Sequence, residues 1–211
     1  RPGTRKSRSV IAAEAGTFAA RDAALADALR ERAAALAALP APPLPTGLLA
    51  TLRHYQEEGF HFLAHLAANG FGGILADDMG LGKTVQALAW LLHQANARSR
   101  ERERVDPPPP FRALVVCPKS VMHGWETETA RFTPSLGVAT FTPALADAPP
   151  SALRAHLLIA NYAQLRINAA WFQQHTWDAV ILDEAQCIKI PLSQTAAIAR
   201  SIPAARRLAL T

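Results

Sequence analysis

The segment Asp77-Asp78-Met79-Gly80-Leu81-Gly82-Lys83-Thr84 holds the residues from which chemistry reads most directly. It follows an apolar run, Gly73-Ile74-Leu75-Ala76, and opens a helical pattern. That strand–turn–helix order is the setting of a phosphate-binding loop. Gly80 and Gly82 lack a Cβ, so backbone N–H groups can approach phosphates. The N-terminus of the next helix adds partial positive charge at the same point. In such a loop Lys83 reaches the β- and γ-phosphates and the Thr84 hydroxyl ligates magnesium. Asp77 stands where the general G-x-x-x-x-G-K-[ST] pattern asks for glycine, so the loop alone leaves a simple glycine turn open. A second segment weighs against that. Ala179-Val180-Ile181-Leu182 is an apolar run of the buried parallel-strand type and ends in Asp183 and Glu184. Ligands of open α/β sheets gather at the carboxyl ends of strands. Asp183 is placed there to hold magnesium and Glu184 to polarise an attacking water. The bland alternative for Asp183 is a helix cap. With both segments in this order, the expected ligands are a nucleoside triphosphate and Mg2+.

The elements that must position these residues alternate along the chain. An α/β lobe is expected over 48–211, with a helix at 52–69, a strand at 73–76 and a helix at 83–97. Further strands are expected at 113–117, 157–160, 179–182 and 208–210. Strands separated by helices imply a mostly parallel sheet with helices on both faces. Residues 1–47 are expected to form a basic tail, one amphipathic helix from Phe18 to Leu39, and a proline-rich linker at Pro40–Pro45. The stretch from Arg98 to Pro110, rich in charge and ending in four prolines, reads as a surface insertion.

Composition narrows the class. The 211 residues carry a formal charge of +5, compatible with a polyanionic partner but not diagnostic of one. No apolar run reaches the roughly 18 residues of a membrane span, so no membrane partner is expected. Cys117 and Cys187 form no C-x-x-C, which points to a reduced, intracellular compartment. Lysine occurs only at Lys6, Lys83, Lys119 and Lys189, and three of these lie inside motifs. His61 and His65 have the i, i+4 spacing of a zinc pair but lack a glutamate between them and a third ligand.

Further segments recur in a fixed order: Leu52 to Leu63 before the loop, Leu114-Val115-Val116-Cys117-Pro118-Lys119-Ser120 leading into Trp125 and Glu128, Ile159 to Leu165, Asp183-Glu184-Ala185-Gln186-Cys187-Ile188-Lys189, and a final Arg207-Leu208-Ala209-Leu210-Thr211. This set resembles the first RecA-like ATPase lobe of the Swi/Snf-type helicase-like proteins, superfamily-two DNA translocases that remodel protein–DNA complexes. The resemblance implies that Gln56, with Arg53 nearby, contacts the adenine edge, for which an amide offers both donor and acceptor. It implies that Asp77, Asp78, Met79, Gly80, Leu81, Gly82, Lys83 and Thr84 bind ATP, that Thr84 and Asp183 hold Mg2+, and that Lys83, Asp183 and Glu184 carry the catalysis. Gln186 would couple the nucleotide site to the rest of the machine. Lys119, Ser120, Asn161 and Tyr162 would contact the backbone of double-stranded DNA, with little sequence preference.

Some positions depart from the family pattern. Gly124 and Ile190 stand where asparagine is usual, and Ala160-Asn161 replaces two hydroxyl residues. The family's second lobe has no counterpart in these 211 residues, so the chain is expected to be a piece of a longer protein that binds Mg-ATP weakly and scarcely turns it over. Two rival readings remain at this point: an RNA-dependent helicase of the same superfamily, and a nucleotide-binding interaction module without turnover. The place of action would be the nucleoid-bearing cytoplasm of a bacterium or the nucleus of a eukaryote.

Overall fold

The five apolar runs expected as strands all become neighbours in one sheet. The computed structural model describes residues 41–78, 80–101, 110–148 and 153–211. The chain divides into two units, Arg1–Ala41 and Pro42–Thr211, and all the described elements belong to the second. The expected helix at 18–39 lies outside the described residues.

In chain order the elements are α1 (His54–Ala68), β1 (Gly73–Leu75), α2 (Lys83–Glu101), β2 (Ala113–Cys117), a 3-10 turn (Lys119–Val121), α3 (Met122–Phe132), β3 (Val138–Thr140), α4 (Pro143–Ala146), β4 (Leu157–Asn161), α5 (Tyr162–Ile167), α6 (Ala169–Gln173), β5 (Ala179–Leu182), a second 3-10 turn (Ala185–Ile188), α7 (Gln194–Ser201) and β6 (Arg207–Leu210). The strands form one six-stranded sheet in the order β1-β6-β5-β2-β4-β3. Every pairing is parallel. All carboxyl ends therefore meet at one edge, and the loops that leave them are neighbours.

Side chains alternate across the sheet, as the two-residue period of a strand requires. Val115, Ile159 and Ile181 face one core, where Phe60 and Leu63 of α1, Leu88 and Leu91 of α2 and Trp125 of α3 pack against them. Leu114, Leu158 and Val180 face the other, against Leu165 of α5, Phe172 of α6 and Ala199 of α7. Strands β2 and β5 are buried along their whole length, which is why they read as unbroken apolar runs. Each fully buried Leu or Ile contributes about 1.5–3 kcal/mol to this arrangement.

The structure differs from the sequence expectation in three places. Strand β3 was not anticipated: three half-buried edge residues carry no clear alternation. Helix α2 runs to Glu101, so Arg98 is helical and pairs with Asp178 at 3.8 Å and with Glu101 at 3.5 Å; residues 102–109 lie outside the described part. Part of the expected proline-rich linker at Pro40–Pro45 packs on the lobe. Pro45 is buried, the Asn96 amide donates to Thr46 O at 2.9 Å, and His61 Nε2 lies 3.1 Å from Pro42 O.

Candidate active site

The loop between β1 and α2 is shaped by two glycines with positive φ, Gly80 at 82° and Gly82 at 76°, a conformation in which a Cβ is strained. At Gly82 a Cβ would also lie 2.5 Å from Gln56 Nε2. The loop is closed on itself. Lys83 Nζ donates to Asp77 O at 2.7 Å and to Asp78 O at 3.3 Å. Gln56 Nε2 donates to Leu81 O at 3.1 Å, and its Oε1 accepts from Arg53 N at 2.9 Å. The amide expected at an adenine edge thus lies against the glycine loop. Asp77, the misfit to the glycine pattern, receives a hydrogen bond on Oδ2 from Gln86 Nε2 at 3.1 Å. Gln86 is fully buried among the apolar residues of α2 and was not anticipated. The only sequence signal was an amide inside an otherwise apolar helical stripe.

At the end of β5, Asp183 N donates to Val116 O at 2.8 Å, which continues the sheet by one residue. Glu184 then adopts φ 49°, the one positive φ at a non-glycine position among the described residues. This left-handed residue turns the chain sharply and puts both acids at the sheet edge. Asp183 is not a helix cap. Its Oδ1 accepts from Glu184 N at 2.9 Å and its Oδ2 from Trp125 Nε1 at 2.8 Å. Gln186 donates from Nε2 to Glu184 Oε2. Its Oε1 accepts from Thr211 Oγ1 at 3.1 Å, and Thr211 N donates to Leu75 O at 3.2 Å. One chain of hydrogen bonds therefore runs from the acid loop across the end of β6 to the strand that feeds the glycine loop. The two loops flank β6, roughly 10 Å apart at the usual strand spacing. Thr211 had been read only as part of a motif and carries the middle of this link.

The turns after β2 and β4 lie side by side, since Cys117 pairs with Asn161. Lys119 and Ser120 are exposed on the first. Asn161 and Tyr162, expected to face DNA, are engaged inward. The Asn161 side chain caps α5, accepting from Gln164 N at 2.9 Å, and its Nδ2 lies 3.7 Å from Met122 Sδ. The Tyr162 hydroxyl donates to Asp183 O at 2.8 Å. Burial, the neighbouring Cys187 and Asp183 push the Tyr162 hydroxyl well above the ordinary phenol value, so it stays a donor. Burial lifts the Glu128 carboxyl, with Arg131 opposing and Asp183 adding to the rise. No group of three or more His, Cys, Asp or Glu side chains among the described residues could hold a metal.

The description "SNF2-related domain" matches residues 55–211, from the start of α1 to the end of β6. The chain belongs to the SNF2-related domain family. Its relatives include the chromatin-remodeling ATPase INO80 of Pyricularia oryzae, 35% identical over 79% of this chain and 9% of that protein. The protein of the same name from Arabidopsis thaliana is 36% identical over 66% of this chain and 9% of its own length. Among solved structures, the Sulfolobus solfataricus SWI2/SNF2 ATPase core in complex with dsDNA superposes with a TM-score of 0.69 at 31% identity. It covers 82% of this chain and 34% of that one. This SNF2-related domain thus spans about a tenth of the curated relatives and has a RecA-like α/β fold.

Proposed function

We propose that this SNF2-related domain is the ATP-binding first lobe of a DNA-dependent ATPase that moves along double-stranded DNA or remodels protein–DNA complexes. The observation that carries the reading is the hydrogen-bonded line Glu184–Gln186–Thr211–Leu75, which joins the acid loop to the strand of the phosphate loop. A site whose acids merely capped a helix would have no use for it. The relatives named chromatin-remodeling ATPases and the neighbour solved with dsDNA support the same reading.

In this reading Lys83 leaves the carbonyls of Asp77 and Asp78 and donates to the phosphates, while Gly80 to Gly82 offer backbone N–H groups. Arg53 and Gln56 bind the adenine end once Gln56 releases Leu81 O. Thr84 and Asp183 fit Mg2+ because both offer hard oxygen. Each Asp183 carboxylate oxygen makes a single protein hydrogen bond and keeps a free lone pair. When bound, the ion neutralises charge developing on the phosphates. Glu184 orients water for in-line attack, with catalysis resting on positioning and charge neutralisation. Lys119 and Ser120 contact the DNA backbone directly; Asn161 and Tyr162 support that face. A second lobe of the same protein completes the site. The substrate polymer places the protein at the chromosome: the nucleus in a eukaryote, the nucleoid in a bacterium.

The test is ATP turnover, with and without duplex DNA, by a protein that carries this lobe together with a second. Strong stimulation by duplex DNA, abolished by Lys83→Ala, is expected. Stimulation by RNA alone would favour the RNA-dependent rival. Full function in a Glu184→Gln variant would leave only a binding module.

A further inference from the structure

Two side chains hold Asp183 that the catalytic reading does not use as catalysts. Trp125 Nε1 donates to Asp183 Oδ2 at 2.8 Å, and the Tyr162 hydroxyl donates to Asp183 O at 2.8 Å. One fixes the carboxylate and the other fixes the backbone behind it. Trp125 is 1% exposed on α3, which the turn Lys119–Val121 enters directly. Tyr162 is the first residue of α5 and follows Asn161 at the end of β4. The two turns expected to face DNA are neighbours in the sheet. Each is followed by a side chain that donates to the same aspartate.

We propose that Trp125 and Tyr162 are positioning residues that set the Asp183 carboxylate for magnesium and join it to the two DNA-facing turns. The inference rests on the proposed function. An indole N–H donates and cannot accept, so Trp125 occupies one acceptor position of the carboxylate and leaves the remaining lone pairs for a cation or its waters. Buried indoles do not change place easily, so a shift of α3 is transmitted to Oδ2. Tyr162 acts likewise through the backbone: a shift of the turn after β4 moves the carbonyl of Asp183. Partners that orient a metal ligand in this way commonly contribute about 10–100-fold to metal affinity. A Trp125 that only filled the core would need some partner for its N–H but not a metal-binding carboxylate.

The experiment is binding of a fluorescent ATP analogue to the 211-residue chain, titrated with Mg2+ in the presence and absence of duplex DNA. It compares wild type with Trp125→Phe and Tyr162→Phe, which keep the rings and remove the donors. Each variant is expected to raise the Mg2+ concentration for half-saturation about ten-fold and to leave affinity for the metal-free analogue unchanged. The factor by which duplex DNA alters Mg-nucleotide affinity is expected to shrink towards one, since that factor measures coupling between the sites. Equal weakening with and without Mg2+, or no change in either, overturns the proposal. Should Trp125→Phe fail to fold, Tyr162→Phe removes one hydroxyl and carries the same expectation. Wild type that binds no nucleotide in a Mg2+-dependent way sinks the functional reading itself. Normal wild-type binding with unaltered variants sinks only this inference.

Discussion

Two thiols lie near Asp183, and burial first, then the neighbouring acids, raise both. Cys117 is buried at the end of β2, and burial, then Asp183, push its pKa up to about 12. Cys187 is exposed beside the acids; burial of part of its surface, then Glu184 and Asp183, raise it as well. The thiolate is the reacting form, and a raised pKa leaves less of it at pH 8. A disulfide reagent at pH 8 should therefore titrate one thiol in the folded chain, slowly, and the second only in denaturant. The Cys187 rate should climb as pH rises. Under the proposed function, magnesium nucleotide, by offsetting the charge of Asp183, should speed Cys187 at fixed pH. Two equally fast thiols in the folded protein would contradict the burial of Cys117.

Helices α1 and α2 approach closely beside the loop that joins β1 to α2. A Cβ on Gly59 would stand 1.7 Å from Gln86 Oε1, so glycine there makes room for the buried amide. Gln86 in turn holds Asp77 Oδ2 and, at 3.4 Å, Gly82 O. Gly59→Ala must displace Gln86, at an overpacking cost of about 1–3 kcal/mol. It should also weaken nucleotide binding, because the loop loses its brace. Urea unfolding and nucleotide titration of the same variant check both effects. An unchanged midpoint with unchanged affinity would show that Gln86 moves freely and braces nothing.

For the whole molecule, the parallel sheet sets the reach of the chemistry. It brings Lys83, Thr84, Asp183 and Glu184 to one edge, yet the described lobe places no arginine finger there by any hydrogen bond to these residues. Under the proposed function a second lobe supplies that charge, and an arginine finger is worth about 10³–10⁵ in turnover. The 211-residue chain should therefore bind Mg-ATP while turning it over about a thousand-fold or more slower than a protein with both lobes. Steady-state turnover of the two, side by side, checks this. Robust DNA-stimulated turnover by the 211-residue chain alone would contradict it.

The glycine loop, the acid pair and the buried parallel strands were legible in the residues because each is a local pattern: a spacing, or an apolar run with a charged end. Local patterns also located β2 and β5 to the residue. Strand β3 was not legible, because three edge residues show no period. Gln86 was hidden because nothing in its neighbourhood says that a buried amide meets a glycine on another helix. Tyr162 shows the same limit from the other side. Its motif suggested an outward contact, but only the tertiary structure decided that its hydroxyl donates to Asp183 O. The sequence by itself determined which groups could do chemistry and on which elements they ride. Their partners — Trp125 with Asp183, Gln186 with Thr211, Gln56 with Leu81 — join residues far apart in the chain, and only the tertiary structure decided them, because a hydrogen bond across the sheet edge depends on strand order and leaves no periodic trace in the sequence.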